Sequence, residues 1–588
     1  MTKKDIEEIA VSELKKIFAK TKYIDSHFNS EDKEPCWDGY LTIHDNLSKA
    51  KGNSVKRINV QIKGKHCNDL SKNEISFTAN RTDLNSYFGD GGCLYFVVLI
   101  DENYKTKIYY LSLLPMKIKS ILNGTKGKEK INIHLHEMPN DVEDIDAVIK
   151  THYRNKELQP PSICDKALKI ENISKFPNIS ELYTTIVIPK KSDPFEYLVR
   201  YDTTKYALIK DFDISVPIEE IPTKKIIELN QKAIIANDGI KYYDQIRIVY
   251  TEHDISIHIG DCFSLKVNYD CKTRINYHIE YPRSLKKIVE NLPFIVSLYK
   301  NNGFDCNGKK IELQMTYDVI NSFNFSSAEN NIIIANKFKS LLDKLKIKKD
   351  IILDLLNKRD WDVFWYLYNG LILNKKYIID EKKFNSLNVI NIRGIKIIVA
   401  YIPIDNKVYE IKNVFETEIP VYCIDECDKK MITQFSVFKI EDLYDVDNID
   451  YDFIFKSIKD NTYDEYTEGI ANSILLKLIS AYDKSLNKDI INICIKISNW
   501  LFRRNQNSIS YELNRYQLKK RLNTLDKKEI KRISKIANEF SEHDIRFGCF
   551  VLLGKYNEAK SEFTKLDSNV RKEYEKYPIY NLYAKLKS

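Results

Sequence analysis

The sequence predicts a multidomain α+β chain with an α/β N-terminal part, a β-rich middle and an all-α C-terminal part. Three observations carry this. Residues 1–150 open on a helical apolar stripe and then interleave strand-like runs with short helical pieces. From about 181 to 315 the pattern changes to short β-branched and aromatic runs parted by Asp, Asn and Gly turns. From about 463 onward nearly every segment has helical spacing. With 588 residues and 43% hydrophobic content, the chain has material for about three or four cores. We place the boundaries at 1–155, 156–325, 326–460 (mixed α/β) and 461–588.

The first element is a helix over residues 4–20, where Ile6, Ile9, Ala10, Leu14, Ile17 and Phe18 make one stripe and Glu13 falls inside it. Two short strands follow the Trp37-Asp38-Gly39 triplet: Tyr40–His44 and Arg57–Gly64. Alternation along the second sends Gln61 and Lys63 to one face and Val60 and Ile62 to the other, so the polar pair meets the Asp38 strand. A helical piece at Asp83–Phe88, a turn at Gly89–Gly92, a buried strand Leu94–Ile100 and a further strand Lys107–Ser112 complete the pattern.

Asp38, Gln61 and Lys63 bring a carboxylate, an amide oxygen and an ammonium to one cleft. The two oxygens are hard ligands of the kind Mg²⁺ prefers, and the lysine can orient an attacking water or offset charge on a phosphate. Asp followed by Gln-x-Lys on neighbouring strands resembles the PD-(D/E)XK, or restriction-endonuclease-like, nuclease superfamily, with Gln61 where Glu or Asp is commoner. The stretches "KEPCWDGYLTIHD", "INVQIKGK", "GGCLYFVVLID" and "KIYYLSLLP" resemble the nuclease-like N-terminal domain of bacterial anti-phage defence proteins. The resemblance implies an α-β-β-β-α-β core and a Mg²⁺- or Mn²⁺-dependent endonuclease, with Asp38, Gln61 and Glu13 as metal ligands and Lys63 as the fourth catalytic residue. Glu13 has a plainer reading as a core-edge carboxylate paired with a lysine.

Farther along, Lys117–Leu122 reads as a short helix and Gly124–Lys128 as a basic turn lacking the Walker spacing. Gln159-Pro160-Pro161 reads as a linker. Strands are expected at Tyr183–Ile188, Tyr197–Tyr201, Ile246–Tyr250, Ile255–Ile259, Phe263–Val267 and Arg274–Glu280, with a helix at Leu285–Asn301. His253, His258 and His278 fall on separate strands and turns and read as isolated. Residues 328–373 look helical. The aromatic run "WDVFWYLYNG" at 361–370 has the spacing of a core-packing helix. Strands return at Val389–Tyr401 and Val408–Val414.

In the last part, helices are expected at Tyr466–Ser485 and Lys488–Arg503. Leu552–Asp567 resembles the helix-turn-helix of a tetratricopeptide repeat, with Gly554 at the turn and Tyr556, Ala559 and Phe563 interlocking. That resemblance implies a solenoid-like face for a partner protein or a second copy of the chain. The net charge of +9 sits here: residues 491–588 hold 21 Lys and Arg against 11 Asp and Glu, leaving the first 490 residues near neutral. The basic run Gln517–Lys535 offers nucleic-acid binding as the other use. The 11 cysteines form no C-x-x-C pair, the nearest being Cys423 and Cys427, so reduced thiols are expected and a zinc site is not. No stretch has the length of a membrane span or the apolar core of a signal peptide, so a cytoplasmic protein without a membrane partner is expected. The combined reading is a DNA-cutting nuclease, DNA ahead of RNA, with sensing or assembly domains. The alternatives are a scaffold that keeps the nuclease fold without cleavage and an RNA-directed nuclease.

Overall fold

A computed structural model describes the chain except residues 30–36, 45–55, 166, 170–178, 211–213, 219–224, 272, 380–385, 406, 426–427 and 588. The architecture is mixed α/β, with an all-helical C-terminal region. It divides into two compact units, Met1–Glu280 with Asp305–Lys310, and Tyr281–Phe304 with Ile311–Ser588. Lys33–Cys36 and Asp45 of the quoted motif, and Cys427 of the nearest cysteine pair, lie outside the described residues.

The first unit opens with α1 (Lys3–Phe18), started by a reciprocal cap: Thr2 Oγ1 accepts from Asp5 N–H at 3.2 Å and Asp5 Oδ2 accepts from Thr2 N–H at 2.7 Å. Its buried residues are Ala10, Val11, Leu14 and Phe18. Then come β1 (Ile24–Phe28), β2 (Gly39–Ile43), β3 (Lys56–His66), β4 (Glu74–Asn80), α2 (Arg81–Gly89), β5 (Cys93–Ile100), β6 (Thr106–Leu113), α3 (Pro115–Gly124), β7 (Lys130–Glu137) and α4 (Val142–Glu157). The seven strands form one sheet in the order β1-β2-β3-β5-β6-β7-β4. Only β3 and β5 run parallel; β1, β4 and β7 are strands that the hydropathy pattern did not mark.

Both faces of this sheet are covered, which is why all eight residues of β5 are buried. On one face α1 and α4 pack on Leu41, Ile58, Val60, Ile62, Leu94 and Phe96. On the other α2 and α3 close over Tyr95, Val97, Tyr109 and Leu111. Gly64 fixes the approach of α1, since a Cβ there would stand 2.6 Å from both the Cγ2 and the carbonyl oxygen of Ile6.

The rest of this unit is dominated by an antiparallel meander. Ile227–Asn237 and Ile240–Tyr250 form a hairpin whose turn residues Asp238 and Gly239 both have positive φ, 48° and 76°. That conformation suits the right-handed strand twist and the Asp-Gly pair. The sheet continues through Asp254–Ile259, Phe263–Asn268 and Ile275–Ile279. Tyr197–Tyr201, expected as a strand, is instead the end of a helix, Pro194–Arg200. Asp193 caps it by accepting from Phe195 N–H at 3.0 Å, and Pro194 supplies the first-turn φ, so local capping overrides the aromatic strand preference. The strand expected at Tyr183–Ile188 lies four residues earlier, at Ile179–Thr184.

In the second unit the aromatic run lies on the helix Lys358–Leu371. Phe364 is fully buried and stacks on Phe338 with centroids 4.3 Å apart, and Trp361 meets Phe338 edge-on, so these rings pack a core. The segment Val389–Tyr401 is two strands, Leu387–Ile392 and Ile395–Asp405, because Arg393 and Gly394 turn at φ 44° and 87°. One apolar core runs from Ile398 and Ala400 in that sheet and Val414 just beyond it through Ile454, Leu475 and Ile497 to Leu518. The stretch resembling a tetratricopeptide repeat holds the end of the helix His543–Leu553, Gly554 at φ 75°, and the helix Tyr556–Lys565. Ala559 is fully buried and Phe563 sits 5.0 Å from the Phe547 ring. Beneath this hairpin Arg521 clasps Asp483 through two bonds of 2.7 and 2.6 Å and donates to Pro578 O at 2.7 Å, tying the last helix to the bundle.

Candidate active site

The Trp37-Asp38-Gly39 triplet sits where β2 enters the sheet. Gly39 has φ 143°, and a Cβ there would stand 2.2 Å from the His27 carbonyl oxygen, so the close crossing of β1 and β2 requires glycine. Asp38 is pinned by its backbone, its N–H donating to Val60 O at 3.1 Å. Its side chain turns onto β3: Oδ2 accepts from Ile62 N–H at 2.8 Å and from Gln61 Nε2. Asp38 and Gln61, expected to meet, are therefore in direct hydrogen-bond contact. Oδ1 of Asp38 accepts no hydrogen bond among the described residues.

Gln61 is 4% exposed. Its Oε1 accepts from the Tyr87 hydroxyl at 3.0 Å, giving a chain Tyr87–Gln61–Asp38. Burial holds the Tyr87 phenol well above the usual range, so it stays a donor. Trp37 lies against Tyr87, centroids 5.0 Å apart, and its indole N–H donates to Asp90 Oδ2 at 3.2 Å. Tyr87 and Trp37 form an aromatic wall that the sequence reading left without a role. The available signal was the spacing of Leu84 and Tyr87 on the α2 piece, which marks Tyr87 as inward-facing.

Lys63 is exposed and, two residues along β3, shares the sheet face of Gln61. It makes no ion pair among the described residues. Glu13 makes no hydrogen bond to this group among the described residues. Its carboxylate lies 3.4 Å from Lys16 of its own helix, and α1 packs on the face shared by Val60, Ile62 and Gly64, opposite Gln61. The cause is the Gly64 contact with Ile6, which commits the helix to that face.

A second polar cluster in this unit surrounds His152, 1% exposed, whose Nδ1 lies 2.7 Å from Ser112 Oγ. Burial pushes its imidazole down to about 3. The cavity it shares with Arg200, Tyr201 and Asp202 holds only about 30 Å³. That is room for little more than one water, so the serine–histidine contact is structural rather than a substrate pocket.

His258 and His278 both lie opposite Ser264, one strand away on either side. No helix among the described residues is long and apolar enough to cross a membrane. Comparison with family models, curated proteins and solved structures returned no match.

Proposed function

We propose that the chain is a metal-dependent nuclease of the PD-(D/E)XK type that cleaves DNA phosphodiester bonds, with its helical C-terminal region serving sensing or assembly in anti-phage defence. The observation that carries the reading is the contact of Asp38 with Gln61 on β3, with Lys63 on the same face. The donor set fits a hard divalent cation once the Gln61 amide turns by half. Gln61 Oε1 then faces the Asp38 carboxylate, and the amide Nε2 donates to the Tyr87 hydroxyl oxygen in place of the bond that Oε1 accepts from it. Mg²⁺ or Mn²⁺ held there supplies charge neutralisation at the phosphate and lowers the pKa of water. Asp38 and Gln61 would hold it. Lys63, exposed on the same face, would set an ammonium against the charge developing on the phosphate and orient the attacking water. Glu13, the third ligand that the resemblance implies, lies 3.4 Å from Lys16.

The test is plasmid cleavage with Mg²⁺ or Mn²⁺. Wild type nicks or degrades DNA, whereas Asp38→Ala and Lys63→Ala fall by about 100-fold or more while keeping the wild-type circular dichroism. Equal cleavage by all three ends the assignment. One observation favours a non-cleaving scaffold as the second reading: Gln61 turns its amide nitrogen, not its oxygen, to Asp38. Absence of metal binding at Asp38, measured by Mn²⁺ relaxation enhancement, selects that reading.

A further inference from the structure

The outer face of β1, β2 and β3 holds a second arrangement beside Asp38 and Gln61. Strand alternation places His27, Tyr40, Arg57, Asn59, Gln61, Lys63 and Lys65 on this face, opposite the core side chains Phe28, Leu41, Ile58 and Val60. His27 stacks on Tyr40, with ring centroids 4.7 Å apart and planes 23° apart. The Arg57 guanidinium lies 4.7 Å from the centre of the same ring. His27 and Arg57 are exposed and Tyr40 is half-buried, so the stack offers an imidazole and a guanidinium to solvent on a ring that the sheet holds in place.

Register ties this stack to the candidate centre. Tyr40 pairs with Asn59, two residues along β3 from Gln61, and Tyr40 itself is two residues from Asp38. Lys63 and Lys65 continue the cationic row past Gln61. The other carboxylate on this face, Asp25, is 2.9 Å from His44 Nε2. A flat imidazole and a guanidinium plane next to a row of ammonium groups match the chemistry of a nucleotide, a planar base joined to anionic phosphates.

We infer that the His27–Tyr40–Arg57 stack seats one unpaired nucleotide of a single-stranded nucleic acid beside Asp38 and Gln61, the exposed His27 plane stacking on its base and Arg57, Lys63 and Lys65 meeting the adjoining phosphates. A paired base has both faces covered by its neighbours in the duplex, so such a platform selects single strands or frayed ends. The location of this subsite rests on the nuclease reading, but its test does not.

Fluorescence anisotropy in EDTA measures binding of the full-length protein to a labelled single-stranded oligonucleotide and to the duplex of the same sequence, in DNA and RNA versions. Wild type is expected to prefer the single strand. His27→Ala and Arg57→Ala each weaken single-strand binding by about five- to tenfold and leave duplex binding within about twofold. Arg57→Ala also flattens the slope of log affinity against log salt by about 0.7, the share of one phosphate contact on a single strand, whereas His27→Ala leaves the slope unchanged. Arg57→Lys keeps the slope but not the affinity; it preserves the charge, so a folding defect in Arg57→Ala does not obscure the result. Wild-type affinity in both alanine variants, equal wild-type affinity for strand and duplex, or no binding to either overturns the inference. Cleavage that survives in Asp38→Ala removes the nuclease reading alone and leaves the binding result standing.

Discussion

Removing the Tyr87 hydroxyl leaves the Gln61 carbonyl oxygen buried without its donor. Tyr87→Phe is therefore expected to cost about 1–2 kcal/mol in urea unfolding of the first unit. Mn²⁺ binding should weaken as well, because nothing then steadies the turned amide. His152 gives a pH signature. Its folded value of about 3 lies below the ordinary 6.5, so the unfolded chain takes up the proton first. The His152 contribution to stability is constant above about pH 6.5 and falls as pH drops from there toward 3, by about 1.4 kcal/mol per unit for this one proton. Urea melts at pH 7.0 and 5.5 on wild type and His152→Gln check it, the variant losing that slope. At this scale the sequence was partly legible. Asp38, Gln61 and Lys63 stand on one strand pair, and strand alternation announced their shared face. Tyr87 was not legible as Gln61's partner, because it reaches the site from a helix 26 residues on, and no local period encodes a tertiary contact. Glu13 was ambiguous because a carboxylate at a stripe edge has the same spacing whether it faces a metal or a lysine one turn away, and its contact with Lys16 matches the plainer reading.

Single elements lean on a few tight positions. Gly64→Ala puts a methyl group into the backbone of α1, and displacing that helix is expected to cost about 1–3 kcal/mol. Amide exchange in α1 should quicken more than in α4, while an unchanged exchange pattern would mean that the helix does not depend on this contact. Strong helices and the eight-residue apolar run of β5 were plain in the sequence, since burial on both faces writes itself as continuous hydrophobicity. Edge strands were not. β1 (IDSHF) and β4 (EISFTAN) mix polar and apolar residues over too few positions to declare a period. Pro194–Arg200 shows the opposite failure, in which a cap and a proline decide a segment whose aromatics favour strand.

For the whole molecule, the second unit cannot be shortened where composition changes. Its core joins Ile398 and Val414 to Leu475, Ile497 and Leu518 without a break, so a chain ending at residue 460 exposes much of that core. Such a truncation is expected to lose the cooperative unfolding transition of this unit and to aggregate. A truncated chain that melts like wild type would show that the helices are separable. Assembly is thus better probed by surface changes on the helices Ile509–Arg521 and Lys527–Glu539 than by deletion. The first unit's sheet order has a consequence for how the chain is made. β4 follows β3 in sequence yet pairs with β7 at the far edge, Asn80 opposite Lys130. During synthesis β4 therefore emerges with no partner and waits, its Ile75, Phe77 and Ala79 uncovered, until about fifty more residues have followed. Its amide protons should gain protection together with those of β7, which pulsed hydrogen exchange during refolding would read; protection of β4 before β7 would overturn this order.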